Sequence, residues 1–95
     1  MPKGYWIVRV DIREPARYHE YLAAAQPAFD KYGARFLVRG GPCEAREGTA
    51  RGYNVVVEFA DLATARACYD SPEYLASVAI RQTMADADFL IIEGT

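Results

Sequence analysis

The stretch from Gly33 to Gly41 constrains the fold of this chain more than any other part of the sequence. It follows a long amphipathic run, and Gly33 can adopt the left-handed backbone conformation that ends a helix. Residues 34–39 then alternate as a strand does, and Gly40-Gly41 permits a bend or bulge that a Cβ would strain. The sequence therefore predicts a helix that stops at Gly33, then a strand, then a glycine corner.

Two arginines on this strand suggest a binding site. Strict alternation places Arg35 and Arg39 on one face of the strand, with Leu37 between them. A guanidinium offers a bidentate fork to a carboxylate or enolate oxygen, and glycine backbone N–H groups add further donors. We therefore predict that Arg39 binds an anionic ligand together with Gly40 and Gly41. The alternative is an ion pair at an interface with one of three carboxylates: Asp11, Glu58 or Glu93.

Composition indicates one globular domain, residues 1–95. The chain is 52% apolar and 25% charged, which is the balance of a folded unit of this length. The net charge of −2 is spread over both signs, so we predict no nucleic-acid partner. No apolar run approaches the ~20 residues that span a bilayer, and no secretory signal is recognisable. We expect a cytoplasmic protein, without a membrane partner, in which Cys43 and Cys68 stay reduced.

Alternating apolar residues predict four strands. They cover residues 5–12, 34–39, 53–59 and 89–93. Residues 42–48 have a mixed, edge-like pattern, and residues 48–52 have the composition of a hairpin loop. Asp86-Ala87-Asp88 is predicted to be a turn before the last strand.

Two helical regions connect these strands. Apolar residues at three- and four-residue spacing predict a helix over residues 15–32 with a kink at Pro27. Asp61 and Ser71 are good N-caps, so the second region begins after Asp61, restarts after Ser71 and ends at about residue 84. The order βαββαβ is that of a ferredoxin-like α+β fold, a four-stranded antiparallel sheet with the helices on one face.

The sheet is predicted to be apolar on both faces. The residues opposite the core-facing positions include four large apolar side chains, where a solvated face would be polar: Ile7, Val56, Leu90 and Ile92. The helices cover only one face, and exposed apolar surface costs ~25 cal/mol per Å². We therefore predict a homodimer in which two sheets pack face to face. The alternative is a monomer with an unusually apolar sheet.

Three segments carry a family resemblance: Gly4-Tyr5-Trp6-Ile7; Lys31 to Gly41 with its Phe-Leu-Val-Arg-Gly-Gly block; and Ser71-Pro72-Glu73-Tyr74 with the later Arg81 and Asp88. They resemble, over nearly the whole chain, the small bacterial family catalogued as domain of unknown function 1330. The resemblance implies a dimeric α+β barrel. That superfamily includes cofactor-free monooxygenases, haem-degrading enzymes, a lactone isomerase and stress-response proteins. The resemblance implies no particular reaction.

His19 is the candidate for acid–base catalysis because imidazole titrates near neutral pH. It lies next to Tyr18 at the border of the apolar stripe, so a solvated position is the alternative. The superfamily's haem binders rely on a well-placed histidine, and His19 is the single histidine of this chain. Haem binding would require His19 to point into a large apolar pocket.

A further group of candidates lies around the last helix. Arg81 is predicted to meet Asp86 or Asp88 at the mouth of a cleft between helices and sheet. Three tyrosines are predicted to line this cleft, since each combines an apolar ring with a hydroxyl that needs a partner: Tyr18, Tyr69 and Tyr74. The alternative role for Arg81 is that of a cation at a helix C-terminus.

These features predict a small-molecule-binding homodimer. No nucleotide loop, nucleophile elbow, metal-spaced cluster or Cys-X-X-Cys motif is present, so we expect no metal or cofactor. A cofactor-independent monooxygenase or isomerase of an anionic or enolisable substrate would use Arg39 for an oxyanion and His19 or a tyrosine for a proton. The alternatives are a non-catalytic structural or stress-response dimer and a haem-binding or haem-degrading protein. The sequence does not decide whether the chain is an enzyme.

Overall fold

A computed structural model describes residues 2–95 of the chain. Its strands are β1 (Gly4–Ile12), β2 (Arg35–Arg39), β3 (Tyr53–Phe59) and β4 (Ala85–Glu93). Its α-helices are α1 (Tyr18–Tyr32), α2 (Leu62–Asp70) and α3 (Pro72–Gln82). The strands form one antiparallel sheet in the order β2-β3-β1-β4. The ferredoxin-like α+β prediction is confirmed.

The helix boundaries follow their caps. Gly33 ends α1 in the left-handed conformation, with φ of 66°, and α1 continues through Pro27. The carboxylate of Asp61 accepts the backbone N–H of Thr64, and Ser71 accepts that of Tyr74. Ser71 itself is extended, so α2 and α3 are separate helices, as the predicted restart requires. The predicted first turn of α1 is instead a 3-10 turn at Pro15–Arg17.

The hydrophobic core lies between the helices and one face of the sheet. Trp6, at its centre, is 1% exposed and donates its indole N–H to the carbonyl of Ala65 at 3.0 Å. Aromatic rings from helices and sheet surround it: Phe29, Phe59, Tyr69, Tyr74 and Phe89. This arrangement fixes the helices against one face of the sheet, and no helix of residues 2–95 covers the other face.

Three further predictions about the elements differ from the structure. Residues 86–88 belong to β4, because β1 is long enough to pair with them as far as Ile12. The last helix ends at Gln82 rather than near Met84, whose carbonyl accepts the N–H of Arg13 at 2.7 Å. Residues 42–48 form an irregular loop rather than an edge strand.

A β-bulge in β2 overturns one prediction about the candidate site. Arg35 pairs with Glu58 and Arg39 with Val55, and Leu37 is the extra residue that has no pairing partner on β3. Because an extra residue reverses the alternation, Arg35 faces away from the helices while Arg39 shares the helix-side face with Val55. The prediction that the two arginines share one face is therefore wrong.

The sheet face away from the helices, here called the outer face, is divided in character. At one end, half-buried Ile7 and Val56 adjoin Leu90 and Ile92, which are 58% and 54% exposed. At the other end the side chains are charged. The predicted second apolar surface is therefore present. Within residues 2–95, no helix has the length and apolar character needed to cross a bilayer.

Candidate ligand-binding site

A narrow cavity lies between α1 and the helix-side face of the sheet. Its walls are mostly aromatic: Tyr18, Tyr21, Phe29, Phe36, Tyr53 and Phe89. Its empty space amounts to about 350 Å³, a volume that includes the open solvent at its mouth. Only about 20 Å³ of that volume is wide enough for the centre of a water molecule. A ligand larger than water must therefore move wall side chains as it enters.

Arg39 is the charged residue of this lining, and the bulge in β2 brings it there. Its guanidinium carbon lies 4.2 Å from the centroid of the Phe36 ring, a cation–π contact, and the side chain is exposed. Within residues 2–95, Arg39 makes no ion pair. Two of the three carboxylates predicted for it have other partners: Glu58 lies 3.9 Å from Arg35, and Asp11 lies 2.8 Å from Arg51. Arg39 is therefore free to bind an anion.

A second cation lies behind the cavity wall. Arg81, in the last turn of α3, is 5% exposed and donates from Nη1 to the hydroxyls of Tyr74 at 2.8 Å and Tyr21 at 3.5 Å. The two hydroxyl oxygens are 2.6 Å apart. The structure does not bring Arg81 to the predicted aspartates. Asp86 and Asp88 lie on the outer face, where they pair with Arg13 and Arg51.

The tyrosines of this region are neutral hydrogen-bonding groups. Burial raises the pKa of Tyr18, Tyr21 and Tyr74 above the ordinary value of a phenol, while the positive charge of Arg81 opposes that rise in each. Arg39 also acts to lower the pKa of Tyr18. Both guanidiniums are thus close enough to influence the Tyr18 hydroxyl, so the cavity is electropositive.

The other predicted site residues lie outside the cavity lining. His19 is exposed on α1, and Tyr69 packs in the core against Phe89. The N–H of Gly40 donates to the carbonyl of Asn54 at 2.8 Å, so the sheet already uses this donor. Gly41 has φ of 93° and no contact within 4 Å of where a Cβ would stand. No group of His, Cys, Asp and Glu within the described part of the chain is arranged to hold a metal ion.

The sequence predicts Tyr18, Tyr74, Arg39 and Arg81 as site residues but does not predict how the structure groups them. Tyr74 and Arg81 are seven residues apart, two helical turns, so their shared face was readable from spacing. Their partner Tyr21 is on another helix and is 60 residues from Arg81. No local signal in the sequence links such a pair.

Solved structures with the same fold have low sequence identity to this chain. A protein of unknown function from Rhodopseudomonas palustris superposes with a TM-score of 0.78 at 17% identity, covering 99% of this chain and 83% of that one. SnoaB, a cofactor-independent oxygenase from Streptomyces nogalater, has a TM-score of 0.70 at 13% identity, with 97% and 92% covered. A dimeric ferredoxin-like protein of unknown function from Thermobifida fusca has a TM-score of 0.63 at 18% identity, with 96% and 90% covered.

At the level of sequence, no match was found among curated proteins. A family model does match, and it covers residues 3–95. The chain therefore belongs to the family described as Domain of unknown function (DUF1330).

Proposed function

We propose that this protein is a homodimer that binds a small planar organic acid in the cavity between α1 and the sheet. The observation that carries the proposal is the position of Arg39. It lies on the helix-side face, against the Phe36 ring, at an aromatic cavity and without a carboxylate partner among residues 2–95. A guanidinium in that position binds carboxylate, phenolate or enolate oxygens by charge-assisted hydrogen bonds.

The remaining lining suits the body of such a ligand. Aromatic rings favour a flat apolar molecule, which can stack or meet their edges. Among the described residues that line the cavity there is no carboxylate to repel an anion. The hydroxyls of Tyr18 and Tyr53 add neutral donors near the ligand. A planar acid is thus favoured over a cation or a sugar.

The finer proposal is a reaction without a cofactor. The described lining holds no histidine, carboxylate, lysine or cysteine, so the cavity supplies no evident base. The substrate is then one acidic enough to lose its proton to solvent water, and Arg39 lowers the pKa of the substrate by favouring the anion. An enolate or phenolate can donate electrons to O₂ directly. SnoaB, which has this fold, is described as a cofactor-independent oxygenase; isomerisation through an enolate is the alternative.

The outer face supports the dimer. Its apolar end exposes Leu90, Ile92 and Val38 by 58%, 54% and 43%. The T. fusca protein with this fold is described as dimeric. Sheet-to-sheet packing of two copies would cover the exposed apolar end and leave both cavities on the helix side.

Binding is tested with a panel of benzoate, 2-naphthoate and a cyclic 1,3-diketone, by thermal shift and titration calorimetry. We expect at least one to stabilise the protein at millimolar concentration. Arg39→Gln should weaken that binding by about tenfold or more, as expected for loss of a charge-assisted hydrogen bond. The matched control is Arg35→Gln, which removes the same charge from the opposite face and should leave binding unchanged.

Two results would contradict the proposal. One is that no acid of the panel stabilises the wild-type protein. The other is that the two substitutions weaken binding equally, which indicates a non-specific charge effect. Oxygen consumption with the bound 1,3-diketone tests the catalytic part. No consumption would leave a binding protein of the structural or stress-response type.

A further inference from the structure

The cluster formed by Arg81, Tyr21 and Tyr74 is buried to an unusual degree for a charged group. The three residues are 5%, 6% and 0% exposed, respectively. Within residues 2–95 no carboxylate pairs with Arg81. Burying a guanidinium without a counter-charge is energetically costly. Its presence here therefore indicates a role in the fold or in ligand binding. Here it joins α3 to α1 by bonds to hydroxyls alone.

The hydrogen bonds of this cluster leave one proton without an acceptor. Arg81 donates to both hydroxyl oxygens, and the two hydroxyls share one hydrogen bond between them. Each tyrosine carries one proton, so one O–H of the pair donates to nothing among the described residues. A buried donor without a partner is energetically unfavourable.

The location of the two tyrosines decides where that proton belongs. Tyr74 is fully buried and does not line the cavity, whereas Tyr21 does. If Tyr74 donates to Tyr21, the second proton lies on the residue that a ligand can reach. The opposite orientation would leave it in the core, where nothing can accept it. The first orientation is therefore the favoured one, and the charge of Arg81 strengthens Tyr21 as a donor.

We propose that Tyr21 donates this proton to an oxygen of the bound ligand, and that Arg81 is the positioning residue that orients it, directly and through Tyr74. The inference rests on the proposed function, because it concerns the same cavity. It narrows the ligand class to planar oxo-acids. One end carries the anionic group that Arg39 binds at the exposed mouth, and the other end carries a carbonyl or enolate oxygen at the buried base.

The test uses two benzoates that match in shape and differ in one acceptor. 4-Acetylbenzoate carries a carbonyl oxygen where 4-isopropenylbenzoate carries a methylene. We expect the wild-type protein to bind the first about tenfold more tightly by calorimetry, which corresponds to about 1.4 kcal/mol. In Tyr21→Phe the two benzoates should bind with about equal affinity, because the acceptor loses its donor while the ring and the Arg39 contact remain.

Positioning by Arg81 is measured by the same ratio. Tyr74→Phe and Arg81→Lys should each reduce the preference for 4-acetylbenzoate, because the Tyr21 hydroxyl loses its fixed orientation. A purely structural role would lower the melting temperature and leave the ratio of the two affinities unchanged. Tyr69→Phe, which removes the hydroxyl of a half-buried tyrosine outside the cluster, is the control and should keep the wild-type ratio. Tyr74→Phe preserves the ring, so the ratio of the two affinities can still be measured in that variant if Arg81→Lys does not fold.

The outcomes separate the inference from the function on which it rests. Equal binding of the two benzoates, or a preference that survives Tyr21→Phe, would overturn the inference and leave the proposed function standing. Failure of both benzoates to bind would count against the planar-acid proposal itself, and the inference would fall with it.

Discussion

Arg35 and Arg39 are four residues apart on one strand, yet they lie on opposite faces of the sheet because Leu37 is an extra, unpaired residue between them. Arg35 joins Glu58 on the outer face at 3.9 Å, and Arg39 reaches the ring of Phe36 at the cavity. An uninterrupted strand would place both cations on the outer face. One irregularity of the backbone thus gives the cavity its charged residue.

The outer face is where we expect two copies to meet. Substituting Leu90 and Ile92 together by Glu should raise the dissociation constant of the dimer at least 100-fold. The protein should then be monomeric at micromolar concentration. Like charges would face each other across the symmetry axis, and apolar contact would be lost. Sedimentation velocity measures the change. Leu75→Glu is the control, since Leu75 is also exposed, at 46%, but lies on α3. A wild-type protein that sediments as a monomer would contradict the dimer.

The glycine corner after β2 should respond differently at its two positions. Gly40 has φ of 74°, and a Cβ there would lie 2.8 Å from Cε1 of Tyr53, a cavity wall residue. We expect Gly40→Ala to lower the free energy of unfolding by about 2–4 kcal/mol, from backbone strain and overpacking together. Gly41, at φ of 93° with open space around it, carries the strain alone, so Gly41→Ala should cost about 1–2 kcal/mol. Urea denaturation that gives equal losses would show that the Tyr53 contact has no effect.

The two thiols should differ sharply in reactivity. Cys43 is exposed, while Cys68 is buried and burial raises its pKa to about 12. We expect one thiol to react quickly with dithionitrobenzoate in the native protein and the second only after unfolding. Cys68→Ala should remove the slow reaction alone. Two fast thiols in the native protein would contradict the burial of Cys68.

The raised pKa of Cys68 also makes the stability of the fold depend on pH. Its folded pKa, about 12, is above the ordinary value of 9.0, so the folded state favours the neutral thiol. The stability from this group is fully present below pH 9.0 and decreases as pH rises toward about 12. The difference in urea midpoint between wild type and Cys68→Ala should therefore narrow in that alkaline range.

The faces of β1, β3 and β4 followed from the sequence because burial on one side enforces a period of two. The caps at Asp61 and Ser71 were equally readable, since capping is local chemistry. Residues 86–88 were mistaken for a turn because Asp-Ala-Asp is polar. In the structure, pairing with β1 and ion pairs to arginines outweigh that propensity.

The bulge was not readable because Leu37 and Val38 are both apolar and both exposed, so alternation in β2 does not fix the register. The register of β2 also determines the composition of the candidate site. The prediction of Arg39 as a binding residue rests on a cation beside glycines, but the face that Arg39 occupies depends on pairing with β3. The contact of Arg81 with Tyr21 joins two helices, and tertiary packing alone determines it.

Deleting Leu37 should separate the bulge from every other property of β2. Phe36 is held by its ring contact with Phe29, at 5.1 Å, so the shift in register falls on the residues that follow it, next to the irregular loop. Arg39 would then turn to the outer face, and binding of the planar acids should weaken as much as in Arg39→Gln. Leu37→Ala is the matched control: it keeps the extra residue, its side chain is 46% exposed, and binding should persist. Calorimetry on both variants measures the effect, with circular dichroism to confirm that the deletion variant is folded. If a folded deletion variant binds the acids as wild type does, then the bulge does not position Arg39 for the ligand.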